Sequence, residues 1–66
     1  MKIRINETDI EIFSGARVMD ALLRYSKNQY RDVMQGKKQV TDHRHHPLGL
    51  EGELSEYQQL YIIPNK

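Results

Sequence analysis

Three imidazoles fall within four positions in the run Asp42-His43-Arg44-His45-His46, and imidazole is the commonest side-chain ligand for zinc, copper or nickel. His43, His45 and His46 are the candidate metal ligands, with the Asp42 carboxylate beside them. Ligands drawn from one loop rarely complete a closed coordination sphere, however, and the chain holds no cysteine and no histidine outside this run. The competing reading is a solvated loop between strands, open to water and not required for folding, so no resident cofactor is expected. A second group is basic. Arg24, Lys27, Arg31, Lys37 and Lys38 lie close in sequence to Tyr25 and Tyr30, the cation and aromatic inventory of an RNA-binding surface. Asp20 and Asp32 interrupt it, and a water-facing helix with lysines near its C-terminus accounts for the same residues through the macrodipole alone. Ser14, Ser26 and Ser55 stand in turn or cap contexts with no nucleophile-elbow pattern around them. Glu51, Glu53 and Glu56 read as a solvated acidic loop rather than a general acid-base pair. No catalytic residue is assigned, and the expectation is a protein that is not an enzyme.

These residues must be positioned by a small scaffold. The chain has 66 residues, read as one domain over 1–66, and a chain of this size buries only about 60% of the surface its unfolded form exposes. The absence of cysteine removes disulfides, thiolate metal sites and iron-sulfur clusters, leaving packing as the source of stability. A formal net charge of +1 arises from interspersed signs, which argues against a dominant electrostatic attraction to nucleic acid or membranes. Met1-Lys2-Ile3-Arg4 leads into no continuous apolar stretch, so the expectation is a cytoplasmic protein without a membrane span.

Periodicity supplies the elements. Ile3 and Ile5 alternate with polar residues, Asn6-Glu7-Thr8-Asp9 supplies a turn, and Ile10 and Ile12 resume the alternation: a β-hairpin with one apolar face. Val18, Ala21, Leu22 and Tyr25 then fall at i, i+3, i+4 and i+7, the stripe of an amphipathic helix, with Ser14 expected as its N-cap and Gly15 as the turn off the strand. Ser26 with Gln29 resembles a capping box, and Tyr30, Val33 and Met34 keep helical spacing up to Gly36, predicting a second short helix. Val40-Thr41-Asp42 and Leu48-Gly49-Leu50 read as a second hairpin around a loose loop. In the last strand Leu60 and Ile62 share one face, Tyr61 and Ile63 the other, and Pro64 ends it. Ile3, Ile5, Ile10, Ile12, Val18, Leu22, Leu60 and Ile62 form the expected core.

A first hairpin, a helix across one face and a final strand returning in parallel beside the first make a β-grasp. Two segments make the resemblance specific. Gly15-Ala16-Arg17-Val18-Met19-Asp20-Ala21-Leu22-Leu23 resembles the Gly-x-Thr-Val-x-Asp-Leu-Leu helix start of ubiquitin-like β-grasp proteins. Leu54-Ser55-Glu56-Tyr57-Gln58-Gln59-Leu60-Tyr61-Ile62-Ile63 is similar to their Leu-x-(Asp/Glu)-Gly-Asp-x-(Val/Ile)-x-Ile-Ile ending, with Arg17 in place of the capping Thr and Tyr57-Gln58 in place of the Gly-Asp turn. The resemblance implies an α+β fold with a mixed sheet of about four strands on one main helix, as in ThiS/MoaD-like sulfur carriers, TGS domains and plant-type ferredoxins. Pro64-Asn65-Lys66 lacks the slim Gly-Gly carboxylate of a sulfur carrier, and the four cluster thiolates of a ferredoxin are missing. What the resemblance leaves is a non-catalytic interaction or accessory module docking on a larger protein, with Arg4, Tyr61 and Ile63 on the solvent side of the paired terminal strands as partner-binding residues. The alternative is a ligand module for RNA or a divalent metal that uses the 42–46 loop and the basic middle.

Overall fold

In the computed structural model, which describes residues 1–65, β1 (Lys2–Ile5) and β2 (Thr8–Glu11) form the expected antiparallel hairpin, with Ile3 opposite Ile10. Asn6 and Glu7 close it at φ of 47° and 68°, a two-residue turn whose backbone twist matches that of the flanking strands. Lys66, part of the tail weighed against sulfur-carrier chemistry, lies outside the described residues.

Two helices follow, α1 (Val18–Tyr25) and α2 (Lys27–Met34). The start of α1 differs from the expectation at Ser14, because Arg17 occupies the N-cap and its backbone N–H donates to Asp20 Oδ2 at 2.9 Å. The Val18 and Met19 amides donate to the carbonyls of Gly52 and Leu50, each at 2.9 Å. A loop more than thirty positions downstream therefore supplies acceptors that a local hydroxyl usually provides, and a capping side chain at position 14 is unnecessary. In α2 the local rule holds: Ser26 Oγ accepts the Gln29 N–H at 3.4 Å. Its far end is closed by Gly36 at φ 79°, with the Gly36 N–H on the Val33 carbonyl and the Lys37 N–H on the Asp32 carbonyl, the paired bonds of a Schellman motif.

β3 (Lys38–Thr41), β4 (Pro47–Leu48) and β5 (Gln59–Pro64) complete a five-stranded sheet ordered β2-β1-β5-β3-β4. β5 runs parallel to β1, with Ile5 beside Leu60, while β3 is antiparallel to both β4 and β5. The architecture is α+β with a mixed sheet. About four strands and one main helix were expected; the sheet has five strands, the second hairpin pairing Lys38–Thr41 with Pro47–Leu48 rather than 40–42 with 48–50, and α2 equals α1 at eight residues each. The core gathers Ile3, Ile5, Leu60, Ile62 and Val40 from the sheet under Val18, Ala21 and Leu22 of α1, with Ile12, Ala16 and Leu54 sealing its ends. Ile10 is only half-buried, because it lies on an edge strand with no neighbour beyond it. No helix among the described residues is long and apolar enough to cross a membrane.

Candidate functional site

The pleat decides what the sheet shows to solvent. Ile3, Ile5, Leu60 and Ile62 turn toward α1, so Arg4, Tyr61 and Ile63 emerge together on the opposite face, as the alternation requires. Arg4 is exposed and Tyr61 and Ile63 are half-buried between neighbouring strands. The Arg4 guanidinium Nε–H donates to Asp9 Oδ1 at 2.9 Å across the hairpin, and this carboxylate raises the arginine's already high pKa further. The Tyr61 hydroxyl donates to Gln59 Oε1 at 3.3 Å. Register places Gln59 beside Arg4 and Thr41 opposite Tyr61. Thr41 is 2% exposed, and its Oγ1 has no hydrogen-bond partner among the described residues.

Tyr57, which in the sequence stands with Gln58 in place of the Gly-Asp turn, joins this face. It stands at φ 64° in the turn before β5 and is 73% exposed. Its conformation is imposed by stitching to β1: the Tyr57 N–H donates to the Lys2 carbonyl at 2.6 Å, the Lys2 N–H to Glu56 Oε2 at 2.8 Å, and the Arg4 N–H to the Gln58 carbonyl at 3.0 Å. A left-handed backbone suits glycine, so a tyrosine there carries strain of about 1 kcal/mol for a ring that gains little burial. The Gly that stands at this place in the β-grasp ending which residues 54–63 resemble is the sequence signal that points to it. Tyr57 and Gln59 are shared by two adjoining hollows, one of about 280 Å³ lined also by Lys2, Arg4 and Asp9, the other of about 220 Å³ lined also by His43 and Gln58. This surface offers a guanidinium, two phenols and amide groups within one strip, an inventory for recognition by hydrogen bonding and aromatic contact.

The histidine loop is more ordered than the expected loose connection. Asp42 Oδ1 accepts the N–H groups of Arg44 at 2.8 Å and His46 at 2.9 Å, the Asp42 N–H donates to the His46 carbonyl at 3.0 Å, and His45 adopts φ 66°. The His46 amide, and after it that of Arg44, holds the Asp42 carboxyl below the usual carboxylate range, with the His46 and His43 imidazoles adding to the effect. His46 Nδ1 lies 3.6 Å from Asp42 Oδ2, whereas His43 lines the hollow with Tyr57. Among the described residues no group of three or more His, Asp or Glu side chains is assembled to hold a metal, His43, His45 and His46 included.

The basic middle is also divided. Lys38 Nζ lies 3.0 Å from Gln29 Oε1 and 3.6 Å from Asp32 Oδ2, and the Arg24 Nε–H reaches the Glu11 carbonyl at 3.5 Å. Tyr25 and Tyr30 are half-buried against the core rather than standing free as stacking platforms. Arg24 also engages a carbonyl of β2, one of the two edge strands, while the other edge, β4, opens on Pro47, which has no N–H to offer. No protein-family model, curated protein or solved structure matches this chain.

Proposed function

We propose that the chain is a ubiquitin-like β-grasp module, not an enzyme, that docks on a larger protein through the open face of its sheet. The hairpin, the helix across one side and the parallel pairing of β5 with β1 support the β-grasp reading. One observation carries the docking reading: Arg4, Tyr61 and Ile63 share the sheet face turned away from α1, and the strained, exposed Tyr57 extends that face. Tyrosines beside an arginine, here the exposed Tyr57 and the half-buried Tyr61, are residue types enriched at protein interfaces.

The test places a photo-crosslinking amino acid at position 57, 61 or 63 in the native host. The expected result is one discrete protein adduct, suppressed by Arg4→Glu, with much weaker labelling from a crosslinker at position 44. Adducts formed mainly from position 44 or from positions 37 and 38, or adducts to RNA, would favour the ligand module instead. The absence of any adduct from all three face positions would count against docking by this face.

A further inference from the structure

The helices present a second surface whose composition differs from that of the sheet. Leu23 of α1 and Lys27, Tyr30, Arg31, Met34 and Gln35 along one side of α2 line an open groove of about 400 Å³. Leu23 is 43% exposed and Met34 57%, so its apolar lining faces water. Its charged members have one sign only. Lys27 and Arg31 stand one helical turn apart, a repulsive i, i+4 pair, and among the described residues neither lies within ion-pair distance of a carboxylate. Lys38, by contrast, is already matched to Asp32.

We propose that this groove docks an acidic amphipathic helix from a partner protein, its apolar side chains at i, i+3, i+4 and i+7 set against Leu23 and Met34 and its carboxylates over Lys27 and Arg31. Charge complementarity selects the sign of the occupant, and an aliphatic and thioether floor selects an apolar stripe. Nucleic acid fits less well, since the aromatic in the lining, Tyr30, is half-buried against the core, and Leu23 and Met34 offer no plane on which a base could stack. The surface is separate from Arg4, Tyr57, Tyr61 and Ile63, so it stands or falls independently of docking by the sheet.

The test is titration of the ¹⁵N-labelled full chain with a peptide of about 15 residues, long enough for four turns, carrying Leu at i, i+3, i+4 and i+7 and Glu elsewhere. A matched peptide with Lys for Glu and a short oligouridylate serve as comparators. The expected result is saturable shift changes confined to residues 23–35, affinity that falls with salt, and at least about tenfold weaker binding by Lys27→Glu/Arg31→Glu and by Met34→Gln, with the amide spectra of both variants otherwise native. Equal or tighter binding of the Lys peptide, shifts centred on β1 and β5, no saturable shift, or comparable binding of oligouridylate through the same residues would each overturn it.

Discussion

Tyr57 and Thr41 each break a local rule, and both lie on or beside the face proposed for docking. At Tyr57 a side chain occupies a backbone conformation that costs about 1 kcal/mol, so Tyr57→Gly is expected to leave stability unchanged or raise it by up to about that amount, the gain being offset by the greater freedom of glycine in the unfolded chain. The same substitution should weaken the photo-crosslinked complex, a separation of folding from binding that a purely structural tyrosine would not show. At Thr41 the buried hydroxyl has no partner among the described residues, so Thr41→Val, which keeps the shape and removes the orphaned oxygen, should raise the urea midpoint by the equivalent of about 1 kcal/mol. A lower midpoint would show that Oγ1 is satisfied in solution. Asp42 adds a pH dependence. Its folded pKa is depressed, so the unfolded chain binds the extra proton; the contribution is present above the unfolded carboxylate value of about 3.9 and is lost as pH falls through the lower folded value. Urea midpoints measured between neutral pH and pH 2 should show a shallower acid decline for Asp42→Asn than for the unmutated chain.

Among the elements, stability is unevenly placed. Ile5 and Leu22 are fully buried where β1 meets α1, and Ile5→Ala or Leu22→Ala should cost about 2–5 kcal/mol, a large part of what a domain this size has. Near-native denaturation midpoints for both would refute the core described above. The histidine loop should behave in the opposite way. His43, His45 and His46 are exposed, and the backbone around them is held by the Asp42 carboxylate rather than by imidazole. Replacing all three by Gln should change stability by no more than about 0.5 kcal/mol, with chelator leaving the far-ultraviolet spectrum unaltered. Gly36 lies between these extremes, since a side chain at φ 79° strains the Schellman turn even though nothing lies within 4 Å of the new Cβ.

At the scale of the whole molecule, the last strand in sequence is the middle strand in space. β5 joins the N-terminal hairpin to β3 and β4, so Leu60→Lys should unfold everything, whereas Leu48→Ala at the edge should be tolerated. Native-state hydrogen exchange should report the same order: β5 amides opening only with global unfolding, and those of residues 42–46 opening locally.

How far the sequence reached depended on the range of the interaction concerned. Alternation located Ile3, Ile5, Leu60 and Ile62 on one side and Arg4, Tyr61 and Ile63 on the other, because side-chain direction in a strand follows from a period of two. Ser26, Gln29 and Gly36 bounded α2 because capping is settled within one turn of chain. Where a partner came from afar, local signals misled or were silent. Ser14 lost the N-cap of α1 to carbonyls of Leu50 and Gly52, Ile10 was left half-covered at an edge, and Ala16, Val40 and Leu54 entered the core from loops and a short strand. The imidazoles close in sequence assemble no group of three metal ligands among the described residues, whereas Tyr57 and Arg4, more than fifty positions apart, came to line one hollow. Composition and periodicity determined which faces are apolar; only the closure of β5 against β1 decided which polar groups meet on the other side, because that pairing depends on a crossover spanning most of the chain.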